Sequence, residues 1–161
     1  MLAGIYLDTK GFSMKAGEHT FETAAMLKRI GADTVEVKRL FRLEKEELVG
    51  KNRIVENAKI YFGSVAISKN FEETSRATAG KAADELLEIA GVKATMVIFR
   101  CGRKTLISAR SLGDANVQLI MEKLGGGGNL TNAGAQLDLT VDETEQKLMQ
   151  AIEEYIKSKD K

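Results

Sequence analysis

Residues 124–136 read LGGGGNLTNAGAQ. Four consecutive glycines, Gly125 to Gly128, remove every Cβ from the stretch. Its backbone can therefore take φ > 0 and lie directly against a ligand. The N–H groups of such a run can converge on an anion, and a following helix N-terminus would add partial positive charge. A flexible loop is made of the same residues, and local chemistry leaves both readings open. The flanks are patterned, however. Upstream, Val117, Ile120, Met121 and Leu124 recur at helical spacing behind Asp114 as the expected cap. Downstream, Gln136–Thr140 reads as a strand. The glycines thus join a helix to a strand.

The same alternation extends outward. Ile60–Ser68, IYFGSVAIS, is rich in β-branched and aromatic residues and predicts one strand. Thr78–Ala90 predicts a helix with Ala79, Ala82, Ala83, Leu86, Leu87 and Ala90 as its packing stripe and Gly91 as its stop. Ala94–Arg100 and Thr105–Arg110 predict an antiparallel pair joined by a turn at Cys101–Lys104. Thr140 and Glu143 have capping-box spacing before a helix that presents Leu148, Ile152, Tyr155 and Ile156 on one face. The expected fold is α/β: a lobe with a mixed central sheet flanked by helices, over residues 59–161. Before it the pattern is helical. Met1–Leu7 is apolar from its first residue and reads as the tail of a buried element. A helix follows from Phe21 to Ile30, burying Phe21, Ala24, Ala25, Leu27 and Ile30. Asp33 and Glu36 have the spacing of a capping box for a short helix ending at Phe41. Residues 46–58 form a charged connecting helix with Leu48, Ile54, Val55 and Ala58 near one face.

Composition excludes several classes. With 24 Lys and Arg against 23 Asp and Glu, the net charge of +1 provides no global field for duplex nucleic acid or an anionic membrane. Anion binding must be local. A single cysteine, Cys101, rules out an internal disulfide and fits a reducing cytosol. No apolar run reaches the length of a membrane span, and no signal-peptide pattern is present. Proline is absent, so turns rely on Gly, Asn and Asp.

Four side chains stand out chemically. Arg110 closes the third strand, where α/β sheets commonly bind ligands, and its planar fork suits phosphate; a surface salt bridge is the structural alternative. Asn116, near the next helix start, offers an amide contact. Asp8 follows the first apolar stretch, as a cap or turn former or as a metal ligand or acid/base group. His19, the only histidine, precedes the second helix as a surface residue or a ligand contact.

ISARSLGDANVQLIMEKLGGGGNLTNAGAQL, residues 107–137, strongly resembles the DHHA1 domain of the DHH phosphoesterase superfamily. Within it, the chain is most like the membrane-bound, GdpP-type cyclic-di-AMP phosphodiesterases of Gram-positive bacteria. LAGIYLDTKGFSMKAGEHTFETAAMLKRIGAD, residues 2–33, resembles the final part of their DHH domain. The resemblance implies a DHH remnant over residues 1–45 and a DHHA1 substrate-binding domain over 59–161. It implies that Asp8 binds manganese in a two-metal site whose other ligands lie upstream. Arg110 and Gly126, Gly127 and Gly128 would hold the substrate's phosphate and nucleotide, with Ser108 of the same SARS segment beside them. The implied reaction is metal-assisted hydrolysis of cyclic-di-AMP to linear pApA. The implied parent protein is anchored in the cell membrane by upstream helices, with this part cytoplasmic and a homodimer possible.

Three departures qualify the transfer. The family's GGGH loop ends here in Asn129, which can donate a hydrogen bond but cannot become a cation near neutral pH. The family tends to carry Arg where His19 stands. The upstream D-x-D and DHH motifs are absent, so the chain is expected to be an inactive C-terminal piece of a longer enzyme. Relatives that degrade short oligoribonucleotides supply an alternative substrate. A non-catalytic nucleotide- or RNA-binding module, as at the end of alanyl-tRNA synthetases, and a structural dimerisation lobe are the alternatives of other classes.

Overall fold

A computed structural model describes residues 1–159. The backbone divides into two compact units, Met1–Glu44 and Lys45–Lys161.

The first unit is three helices: α1 (Leu2–Asp8), α2 (Glu18–Arg29) and α3 (Thr34–Leu40). Its core is small, with Leu2, Leu27 and Val37 buried and Tyr6, Phe12 and Ala24 packed against them. A core of that size covers one narrow stripe of α2. Phe21 and Ile30, expected to be buried, are accordingly exposed, and so is Ala25. Asp33 caps α3 by accepting from the Val35 N–H at 2.8 Å. Glu36 does not complete the expected box; it pairs with Arg39 at 2.6 Å.

The second unit contains α4 (Lys45–Glu56), β1 (Lys59–Tyr61), β2 (Val65–Glu73), α5 (Arg76–Leu86), β3 (Ala94–Cys101), β4 (Lys104–Ser111), α6 (Val117–Glu122), β5 (Gly127–Gly128), β6 (Asn132–Leu137) and α7 (Val141–Lys159). The six strands form one sheet in the order β1-β2-β3-β4-β6-β5. Only β2 and β3 run parallel; every other pair is antiparallel. A parallel pair requires a crossover, and α5 is that crossover. Side chains alternate across the sheet. Met96, Ile98, Ile107 and Ala109 face α6 and α7, where Ile120, Met121, Leu148 and Ile152 meet them. Val97, Phe99 and Leu106 face α5, where Ala79, Ala82, Ala83 and Leu86 meet them; Ile54 of α4 joins this second layer. Leu48, expected on the same face as Ile54, is exposed.

Four local expectations change. The strand expected over 60–68 is a hairpin: Phe62 and Gly63 take φ of 51° and 73°, and β1 returns antiparallel to β2. An unbroken apolar run hides such a turn, because Phe is uncommon at φ > 0 and only Gly63 marks it. The helix expected over 78–90 begins at Arg76, because the Ser75 hydroxyl caps it by accepting from the Thr78 N–H at 3.0 Å. Asn116 rather than Asp114 caps α6; its Oδ1 accepts from the N–H groups of Gln118 and Leu119. The last strand lies at Asn132–Leu137 instead of 136–140, and residues 138–140 lead into α7.

The capping box of α7 forms as expected. Glu143 Oε2 accepts from the Thr140 N–H at 2.8 Å, and the Glu143 N–H donates to the Thr140 hydroxyl at 3.2 Å. The bond from the Thr140 backbone holds the Glu143 carboxyl below the usual carboxylate range. Its contribution is therefore present above the ordinary carboxylate pKa and is lost as pH falls through the lowered one. No helix among the described residues is long and apolar enough to cross a membrane.

Candidate functional site

Helix α5 packs on β3 and β4, and the adjoining sheet surface toward β6 forms the floor of a cleft of about 600 Å³. Arg76 at the start of α5 lines one side and Gly125–Gly127 line another. Leu106, Ile107, Ser108 and Arg110 of β4 and residues 133–136 of β6 complete the wall and floor. Ser108 sits opposite Gly134 in the β4–β6 register. Gly134 presents no side chain beside the Ser108 hydroxyl, and a Cβ there would lie 2.9 Å from the Ile107 carbonyl oxygen.

The glycine run has a different architecture from the cradle its composition allows. Gly125 takes φ 75°; its N–H donates to Glu122 O at 3.1 Å, and the Gly126 N–H donates to Met121 O at 2.9 Å. This 5→2 and 6→1 pair is a Schellman motif that closes α6. Two of the four amides are thus spent on a helix C-terminus, whose partial charge is negative. A strand, not a helix, follows. Gly127 and Gly128 pair with Gly134 and Ala133 as β5. The run lies so close to β6 that a Cβ on Gly126 would sit 2.1 Å from Gly134 O, and one on Gly128 would sit 2.4 Å from Asn132 O. Of these three, Gly127 alone has open space where a Cβ would sit, and it lines the cleft.

Arg110 is held from three directions. Its Nε lies 3.2 Å from Asp84 Oδ1, its Nη1 donates to Ala109 O at 2.9 Å, and its Nη2 occupies the space a Cβ on Gly80 would need, 3.0 Å away. Gly80 and Asp84 are one turn apart on α5. Arg76, one turn before Gly80, donates from Nη2 to Gln136 Oε1 at 3.0 Å. Arg76 and Arg110 are the only charged residues among those lining the cleft.

The structure thus gathers Ser108, Arg110, Gly126 and Gly127 around one cleft. Gly128, Asn129 and Asn116 are not among its lining residues. Asn116 is occupied as the α6 cap. Asn129 organises the turn before β6: its Oδ1 accepts from the Thr131 N–H at 3.0 Å, the Thr131 hydroxyl at 3.2 Å and the Asn132 N–H at 2.9 Å. Arg76, Gly80, Asp84 and Gln136 are functional candidates that sequence reasoning missed. Two signals mark them: a glycine inside a helical stripe, and a basic residue in the first turn of a helix with no acid there.

The role found for Asn129 gives a signed pH dependence. A histidine at this position keeps an acceptor only while neutral, since imidazolium has donors alone. Asn129→His is therefore expected to be nearly silent at pH 8 and to lower thermal stability below about pH 6.5, the range of an ordinary imidazole. The folded-state pKa of the introduced His would be depressed, so its contribution to stability is present above the unfolded value and is lost as pH falls from there through the lowered one. Melting curves of both proteins from pH 5 to 8 test this; an equal or higher Tm for the variant at pH 5.5 would show that the acceptor is dispensable.

In the first unit, Asp8 is an exposed carboxylate at the C-terminal end of α1. The local turn is tied by Thr9 instead, whose hydroxyl donates to Ile5 O at 2.6 Å and accepts from the Phe12 N–H at 2.9 Å. His19 is exposed, with Nδ1 2.9 Å from Glu22 Oε2. Among the described residues no group of three or more His, Cys, Asp or Glu is placed to hold a metal ion. The described residues do not by themselves make a metal centre.

A mixed α/β lobe with an arginine- and glycine-lined cleft beside its crossover helix defines the class: residues 62–158 match the DHHA1 domain, and the chain belongs to that family. It is 48% identical over 159 residues to the cyclic-di-AMP phosphodiesterase GdpP of Geobacillus thermodenitrificans, covering 96% of this chain and 24% of that protein. It is 44% identical over 161 residues to the cyclic-di-AMP phosphodiesterase PdeA of Listeria monocytogenes, covering 98% and 24%. An exopolyphosphatase-related protein from Bacteroides fragilis shares the fold, with a TM-score of 0.85 at 22% identity over 94% of this chain and 48% of that one. The chain thus spans about a quarter, 24%, of the length of these two curated relatives.

Proposed function

We propose that the chain is the C-terminal part of a longer, manganese-dependent phosphodiesterase that hydrolyses cyclic-di-AMP to linear pApA. Its second unit contributes the nucleotide-binding lobe, and its first unit contributes the end of the DHH domain. The identity of 48% with GdpP over 96% of the chain carries this reading. The cleft supports it: among the described residues the charged groups that line it are two guanidiniums, with the Asp84 carboxylate behind Arg110, which suits an anionic ligand. In this reading Arg110 and Ser108 orient a phosphate against the glycine loop, and Asp8 supplies one ligand of a two-metal site completed by upstream residues. Manganese would there act as Lewis acid and activate the attacking water. Anchoring of the longer protein in the membrane by upstream helices belongs to the same proposal.

Calorimetry and a hydrolysis assay test it together. The chain is expected to bind cyclic-di-AMP without hydrolysing it. Loss of a charge-assisted Arg–phosphate contact corresponds to roughly 1.5–3 kcal/mol, so Arg110→Ala should weaken binding about 10- to 100-fold. Turnover should appear with manganese once the upstream part is present. Metal-dependent turnover by the chain alone would overturn the division of labour. Preferential cleavage of short oligoribonucleotides would overturn the substrate.

A further inference from the structure

The cleft's positive potential has few sources. The glycine loop is joined to the negative end of α6, and the N–H groups of Gly125 and Gly126 are already donating to that helix. Arg110 is ion-paired with Asp84. Arg76 differs: it is exposed, lines the cleft, and its partner among the described residues is the neutral amide of Gln136. Its position is also unfavourable for the fold. Arg76 is the first residue of α5, where the helix dipole favours an acid, and the first turn of α5 holds none. Glu47 of α4 does approach this turn, but it pairs with Lys81 at 2.9 Å and lies 3.5 Å from the Thr78 hydroxyl. A residue that breaks a local stability rule at the mouth of a cleft is the pattern of a functional site.

We propose that Arg76 is a second phosphate-contacting residue of the cleft, exchanging its bond to Gln136 for a substrate phosphate. The assignment rests on the phosphodiesterase reading for its ligand, a nucleotide phosphodiester, but on geometry for the residue. Arg76 and Gly80 stand one turn apart on α5, and Arg110 Nη2 rests on Gly80. Arg76 of α5 and Arg110 of β4, whose guanidinium rests on α5, therefore face one ligand in the same cleft. Arg110 is a partly neutralised fork that orients, and Arg76 is an exposed charge, not ion-paired among the described residues of the cleft, that captures.

Titration of the chain with cyclic-di-AMP, and separately with pyrophosphate, followed by amide chemical shifts, tests the inference. Arg76→Gln is expected to weaken both ligands about 10-fold or more and to reduce the salt dependence of binding. Arg76→Lys should recover part of the loss, because the charge returns without the fork. Unchanged affinity of Arg76→Gln for both ligands would overturn the assignment. Binding of pyrophosphate alone, with dependence on Arg76, would uphold it and refute the cyclic dinucleotide as substrate. Saturable binding of neither ligand to the wild-type chain would refute both.

Discussion

Gly126→Ala is expected to abolish nucleotide binding and to lower the melting temperature of the lobe by about 2–12 °C, while Gly127→Ala leaves the fold intact. The two glycines are neighbours with opposite surroundings. A Cβ on Gly126 would meet Gly134 O at 2.1 Å and the Ala135 Cα and Cβ at 2.7 Å. These atoms are backbone or fixed to it, so no rotamer change relieves the clash and β5 must move off β6. Overpacking of this kind costs about 1–3 kcal/mol and sometimes more, and each kcal/mol corresponds to about 2–4 °C in a chain of this size. The displaced strand carries the cleft wall with it. A Cβ added to Gly127 would meet no atom within 4 Å beyond its chain neighbours, and its φ is not in the left-handed region. An added methyl there projects into space that a bound ligand would use. Gly127→Ala should therefore melt with the wild type yet bind cyclic-di-AMP at least about 10-fold more weakly, if the loop backbone lies against the ligand. Unchanged affinity for Gly127→Ala would remove the loop from the binding surface. A wild-type melting curve for Gly126→Ala would show that β5 is free to separate from β6.

Asp8→Asn carries the second large effect, and it is expected in function rather than in stability. The carboxylate is exposed at the C-terminal end of α1, where the helix dipole disfavours negative charge by about 0.3–1 kcal/mol. The turn beyond it is secured by Thr9. Replacement by the isosteric amide should leave the melting temperature of the chain unchanged or slightly raised. In the longer protein, with manganese, the same change should reduce hydrolysis of cyclic-di-AMP by at least about 100-fold, because an amide oxygen is a weaker ligand for a hard cation than a carboxylate. Affinity of the DHHA1 lobe for the nucleotide should be unaffected. Full activity of the variant would release Asp8 from any metal role.

The sequence by itself determined the class of fold. The apolar runs at 94–100 and 105–110 with the Cys101–Lys104 turn between them marked the β3–β4 pair, the alanine stripe of 79–83 marked the face of α5, and Thr140 with Glu143 marked the start of α7. These are local patterns whose period or spacing specifies one conformation. The resemblance carried by residues 107–137 pointed to the family that the DHHA1 match then identified.

Only tertiary structure decided what the glycines are for. Composition permits an anion cradle at Gly125–Gly128, but two of the N–H groups close α6 and two residues pair with β6. The difference arises because a glycine run has no side-chain pattern to show whether its N–H groups close the helix before it, pair with the strand after it or stay free for a ligand. Distance along the chain hid the seat of Arg110. Asp84 and Gly80 lie 26 and 30 residues before it, and nothing in the local pattern of α5 shows which side chain comes to rest there. Asn116 and Asn129, plausible as ligand contacts from their position in the motif, are drawn instead into capping and turn bonds. A side-chain oxygen beside unsatisfied backbone N–H groups fills that need first. Arg76 belongs to the cleft because α5 crosses from β2 to β3 with its first turn beside β6, a placement set by packing and not by periodicity.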